Sequence, residues 1–239
     1  MDILRRMSKL YYIADELDRR QDNRRKLVNM TDKHSILDQI DMEKIEEFCR
    51  DIYYFDPYTH MHAQHVADLM AGLASQMALT SEEISLAYMV GVIHDVGKIK
   101  TPSEILNKPG RLNGPEFEIM KRHANDGAEM LAALSGTQAI AEIIRHHHEK
   151  FDGSGYPDGL KCKEIPDFSR MLAVCDTFDA MTTHRCYREP VCLRDSLLEL
   201  KRCSGTQFDP LICSQFIEFV REQFGFALEE TDKRRSVNW

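Results

Sequence analysis

The chain reads as an all-α protein, a helical bundle. Three observations predict this. Apolar residues recur at helical spacing almost throughout, strand-type alternation of any length is absent, and histidines fall at the inward ends of the apolar stripes. A length of 239 residues, 43% of them hydrophobic and 29% charged, is a globular composition with room for one sizeable core or two small ones. One catalytic domain over 41–225 is expected, with an N-terminal helical extension or linker over 1–40 and a C-terminal tail over 226–239.

The first 35 or so residues are polar and charge-rich with scattered apolar positions, as in a partly docked helix or linker. Ile45, Phe48, Cys49 and Ile52 then recur at helical spacing, and Val66, Leu69, Met70, Leu73 and Met77 form a second stripe. Ile84, Ala87, Val90 and Ile93 make a third, with Thr80 or Ser81 as N-cap and Glu82 and Glu83 in the first turn. A fourth helix should start at Pro115 and carry Ile119, Met120, Met130 and Leu131. Ile140, Ile143 and Ile144 mark a fifth, and Met171, Val174, Cys175 and Phe178 a sixth. Two more are expected over 191–203 and 209–224. Between them, TPSEILNKPGRLNGP (101–115) and FDGSGYPDGL (151–160) are rich in Gly, Pro and Asn and read as loops.

The longest nearly apolar run, 84–93, is about half of what a membrane span needs, and no signal peptide is visible. Seven cysteines without a CxxC pair read as reduced thiols of a cytoplasmic protein. A net charge of −8 repels nucleic acid, so DNA is not an expected partner, and an anionic ligand needs a local concentration of positive charge. The runs RRQDNRRK (19–26) and KRR (233–235) are the obvious cationic stretches, although terminal charge runs are usually solvated faces.

Five of the ten histidines share one placement. His62 precedes Val66 by one turn, His94 follows Val90, His123 follows Ile119 and Met120, and His147 and His148 continue the face of Ile143 and Ile144. Each taken alone is an ordinary hydrogen-bonded core histidine. Together, imidazoles delivered by several helices to one interior are the pattern of a metal site in a bundle. Asp95 and the pair Asp176 and Asp179 accompany them; a buried aspartate needs either a basic partner or a cation. Nitrogen and carboxylate donors without cysteine point to iron or manganese rather than structural zinc. The surplus of donors favours two divalent ions, with Asp95 as bridge, and phosphate ester hydrolysis is the natural use of such a centre.

The segments HMHAQHV, HDVGKIKTPSEILNKPGRLNGPE, MKRHANDGAEML, HHHEKFDGSGYPDGL and VCDTFDAMTTHRCYRE resemble, in order and spacing, the HD-GYP domain of bacterial cyclic di-GMP phosphodiesterases, across about residues 50–220. HD alone is a weak signal, whereas HHE followed by DGSGYP, upstream of D-x-x-D-A and R-x-x-R, is strong. The resemblance implies an HD-domain bundle in which His62, His94, Asp95, His123, His147, His148 and Asp176 are metal ligands. It implies that Lys98 contacts the scissile phosphate and assists the leaving alkoxide, that Arg185 and Arg188 grip phosphate or guanine, and that Asp179 supports the site. Gly155, Tyr156 and Pro157 would wall the pocket and offer a surface to diguanylate cyclase (GGDEF) partners; oligomers are compatible with all of this. His146 falls just outside the motif. The implied reaction is attack of a metal-bridging hydroxide on cyclic di-GMP, giving linear pGpG, with further hydrolysis to GMP left open. The alternatives are a catalytically quiet receptor or docking module and an enzyme acting on hybrid cyclic GMP-AMP. Tyr58 stands where some members carry a glutamate for a third metal, His65 where arginine is usual, and Cys175 where a small residue is common.

Overall fold

The computed structural model describes residues 40–183 and 189–225. Among them are nine α-helices and no strand: α1 (Met42–Phe55), α2 (Pro57–Gln76), α3 (Ser81–Ile93), α4 (Ser103–Leu106), α5 (Gly114–Ala132), α6 (Gln138–Arg145), α7 (Asp167–Thr182), α8 (Leu193–Arg202) and α9 (Pro210–Phe224). Two 3-10 turns, Val96–Lys100 and Cys162–Glu164, punctuate them. All but the last residue of the expected segment 1–40, and the whole of 226–239, with the basic runs they contain, lie outside the described residues, as do Arg185 and Arg188.

Side-chain caps start several of the helices. Asp56 caps α2, its carboxylate accepting from the Tyr58 and Thr59 amides at 3.1 and 3.2 Å. Thr80 and Glu83 form a reciprocal capping box at α3, which settles the cap on Thr80. Asn113 and Glu116 do the same for α5, so this helix begins at Gly114, one residue before the expected Pro115. The segment 101–115 also contains the one-turn helix α4, too short for apolar periodicity to reveal.

The predicted stripes form the core: Val66, Met70, Leu73, Val90, Ile93, Leu131, Ile140, Ile144 and Val174 are all fully buried. At about 1.5–3 kcal/mol for each large aliphatic side chain removed from water, these contacts carry the fold. Two glycines decide how closely the site-bearing elements approach. A Cβ on Gly91 would lie 2.4 Å from the Ala67 Cα, so α2 and α3 touch backbone to backbone. A Cβ on Gly97 would lie 2.0 Å from the His123 carbonyl oxygen and 2.5 Å from the Gly127 amide nitrogen, so the turn after His94 and Asp95 rests directly on α5.

The turn Val96–Lys100 therefore has no room for a side chain at residue 97. Gly97→Ala is expected to cost about 1–3 kcal/mol through forced separation of the turn from α5. It should also lower the metal content of purified protein, read by denaturant titration and elemental analysis respectively.

Candidate metal centre

Histidine is useful to a metal only if one ring nitrogen is fixed as donor and the other keeps its lone pair facing inward. The backbone provides this three times. His94 Nδ1 lies 2.8 Å from the Gly91 carbonyl, His123 Nδ1 2.6 Å from that of Met120, and His147 Nδ1 2.5 Å from that of Ile144, in each case three residues back. Donation from Nδ1–H to these carbonyls leaves Nε2 as the inward acceptor. At His62, Nδ1 instead faces Asp179 Oδ2 at 2.6 Å, and Asp179 Oδ1 is held by His65 Nδ1 at 3.1 Å and Thr183 Oγ1 at 2.9 Å. Asp179 thus orients a histidine rather than facing the cleft, and His65, noted in the sequence only as a departure from the family pattern, is its second partner.

The inward atoms fall into two groups, His62, His94 and Asp176 in one and His123, His147 and His148 in the other, with donor atoms within 4.8 Å of one another in each. His62 Nε2 is 3.0 Å from Asp176 Oδ1, and His123 Nε2 is 3.0 Å from His148 Nε2. Asp95 stands between the groups. Its Oδ2 lies 3.2 Å from His94 Nε2 and 3.9 Å from His62 Nε2, while Oδ1 lies 3.5 Å from His123 Nε2. Five stretches of chain converge here, from α2, the end of α3, α5, the end of α6 and α7.

The donor set fits divalent cations by its unmet needs. His94 Nε2 and His147 Nε2 are buried without a hydrogen-bond partner, a situation costing about 1–3 kcal/mol per atom when nothing replaces water. Burial, reinforced by His123 and His94, pushes the His147 imidazolium pKa down to about 3, and burial lowers those of His123 and His148 as well, so this group presents neutral rings. On the other side burial also disfavours a charged His62, but the carboxylates of Asp176 and Asp179 outweigh it and raise His62 to about 9. Burial would neutralise Asp95; His94 and Lys98 prevail and hold its carboxyl well below the usual range. Asp179 is held near 2, burial being outweighed by its bonds to His62 and His65. A proton on His62 therefore stands where a cation would offset the carboxylates.

Lys98 Nζ is 2.6 Å from Asp95 Oδ2. Asp95 thus has the basic partner that an ordinary buried aspartate requires, and Lys98 also lines the cleft above the centre, as do Tyr156, Phe117 and Arg202. This cleft of about 860 Å³ lies within the roughly 300–1,000 Å³ typical of small-molecule sites.

The glycine-rich loop is fastened by residues that the sequence reading left without a role. Glu149 is buried, and its Oε1 accepts from the Asp158 and Gly159 amides at 2.7 and 3.0 Å. His146 bridges the Glu142 carbonyl and Asp158 Oδ2, both at 2.9 Å, and Arg145 forks onto the same Asp158 carboxylate. With a guanidinium already on Asp158, the His146, Glu149 and Asp158 group is a brace, not a cation site. A Cβ on Gly155 would lie 2.3 Å from the Lys150 amide nitrogen, which explains a glycine there. Tyr156 then lays its ring 4.9 Å from that of His148, tilted by 32°. The signal for Glu149 was present in the HHE triplet, as a carboxylate adjoining two histidines that face the centre.

Buried imidazoles and carboxylates inside a helical bundle define a class of metal-site proteins, and the sequence assigns the particular one. The HD domain pattern matches residues 49–212, and the chain belongs to that family. Over 166 residues it is 39% identical to a cyclic di-GMP phosphodiesterase of Pseudomonas aeruginosa, an alignment covering 69% of this chain and 40% of that protein. Over 138 residues it is 41% identical to a 3'3'-cGAMP-specific phosphodiesterase of Vibrio cholerae, covering 58% of this chain and 32% of that one. The chain thus spans less than half the length of either relative. Its fold is similar to that of an HDG"Y"P protein from Bdellovibrio bacteriovorus, with a TM-score of 0.55, 18% identity, and coverage of 68% of this chain and 52% of that one. No helix among the described residues is long and apolar enough to cross a membrane.

Asp179 holds His62 from behind, so Asp179→Ala should weaken divalent metal binding about 10- to 100-fold, measured by competition with a chelator of known affinity. Because His62 carries a proton up to about pH 9 without metal, loading near pH 7 should release about one proton from it. Metal affinity should then rise with pH until that value is passed, as calorimetry in buffers of different ionisation enthalpy will show.

Proposed function

We propose that residues 41–225 form a metal-dependent phosphodiesterase that opens cyclic di-GMP to linear pGpG and onward to GMP. The observation that carries the reading is Asp95, a buried carboxylate with one oxygen toward each of two donor groups. In this reading His62, His94 and Asp176 hold one ion, His123, His147 and His148 hold the other, and Asp95 spans them. The nitrogen and oxygen donors, without a thiolate among them, favour iron or manganese. When bound, such a pair polarises a phosphoryl oxygen and makes hydroxide available near neutral pH.

The chain's own groups supply the rest. Water adds its oxygen to phosphorus as the bond to the 3' oxygen breaks, and the departing oxygen must gain a proton. Lys98, at the cleft with its ammonium on Asp95, is placed to give that proton and to offset charge on the phosphate. Arg185 and Arg188, by their place in the family pattern, are assigned the bidentate grip on phosphate or guanine that an acidic protein needs. Of the turn expected to wall the cleft, Tyr156 lines it while Gly155 and Pro157 do not; in the same reading the turn offers the surface met by GGDEF partners.

The similarity to the Vibrio protein favours hybrid cyclic GMP-AMP as the second substrate to test. Protein loaded with iron or manganese and incubated with cyclic di-GMP and cyclic GMP-AMP should give linear products, resolved by chromatography. Asp95→Asn should reduce turnover by about a thousandfold or more, the equivalent of several kcal/mol of transition-state stabilisation. A fully loaded protein that leaves every cyclic dinucleotide intact would refute the enzymatic reading.

A further inference from the structure

Beyond the metal centre one wall of the cleft is apolar, formed by Leu106, Leu112, Phe117 and Met120. Phe117 is 47% exposed, unusual for a large aromatic ring, yet it is held in place. Its ring meets that of Tyr156 edge to face, centroids 6.4 Å apart at 84°. The Lys121 ammonium lies 5.6 Å from the Phe117 centroid and 5.5 Å from that of Tyr156, and is fixed by Glu118 at 2.6 Å. Tyr156 in turn lies 4.9 Å from His148. A row of planar side chains therefore runs from the metal-facing imidazole through Tyr156 to Phe117.

Nothing in phosphate hydrolysis requires a fixed, wetted aromatic at this position, whereas the rest of a nucleotide substrate does. Each phosphate of a cyclic dinucleotide is flanked by a ribose carrying a purine, so a phosphate placed over the ions carries a base to the side, within several ångströms. A purine on an apolar wall removes aromatic surface from water on both partners. We propose that Phe117, supported at its edge by Tyr156, is the stacking platform for one purine of the cyclic dinucleotide. The proposal deepens the function given above and rests on it for the identity of the substrate. Every purine has a π face, so Phe117 governs affinity for a base and not the choice between guanine and adenine.

Phe117→Ala is expected to raise KM for cyclic di-GMP and for cyclic GMP-AMP alike by about tenfold or more, with a much smaller change in kcat and the same metal content. Phe117→Trp should restore KM and gain an indole whose fluorescence is quenched by cyclic di-GMP. Should the alanine variant fold poorly, Phe117→Leu keeps an apolar side chain, removes the π face, and should show the same KM rise. An unchanged KM in a well-folded alanine or leucine variant, or a loss confined to kcat, overturns the platform. Quenching of the tryptophan variant by cyclic di-GMP, with binding lost in Phe117→Ala, upholds it even if no preparation turns substrate over. In that event the hydrolytic reading alone fails.

Discussion

A single buried carboxylate sets the terms for this molecule. Asp95 is 2% exposed, and an ionised group in such a position is tolerated only where opposite charge or cations surround it. Lys98 supplies one charge directly, and two groups of imidazoles stand on either side. The rest of the architecture can be read as the means of delivering those neighbours. Helix α3 ends at Ile93, two residues before Asp95, a turn without a side chain at Gly97 drops onto α5, and the close contact of α2 with α3 at Gly91 brings the His62 and His94 rings to 5.3 Å.

The electrostatics divide accordingly. Around His123, His147 and His148 the rings are crowded and dry, so protons are expelled and lone pairs are left. Around His62 the carboxylates of Asp176 and Asp179 dominate, so a proton is retained. One half of the centre is a set of neutral ligands and the other an acidic pocket, joined by the aspartate that touches both. This asymmetry follows from which helix supplies carboxylates, and in this chain α7 supplies both.

Much of this was legible beforehand because helical periodicity and ligand chemistry both leave marks in one dimension. The apolar stripes located the long helices, and their inward ends located five histidines and the adjoining Asp95, six of the seven converging side chains; Asp176 was found from its spacing to Asp179. What escaped has a common cause. Glu149, His146 and His65 act by holding a loop or another side chain, and their partners, Asp158, Gly159 and Asp179, are set by tertiary approach. Phe117 escaped for the opposite reason: on a helix whose apolar residues mostly face inward, its outward ring has no periodic signature. The one-residue shift at the start of α5 reflects Asn113, whose side chain outweighs the proline as the marker of the helix end.

The donors of the centre are drawn from places as far apart along the chain as His62 and Asp176. Ions seated there act as cross-links closing long loops of backbone, in the manner of several disulfides meeting at one knot. Rigidity and occupancy would then be one property, since bound ions would clasp α2, α5 and α7 to one another. Glu149, next in sequence to His148, turns its carboxylate to the Asp158 and Gly159 amides, so the stretch that carries two imidazoles of the centre also holds the glycine-rich loop.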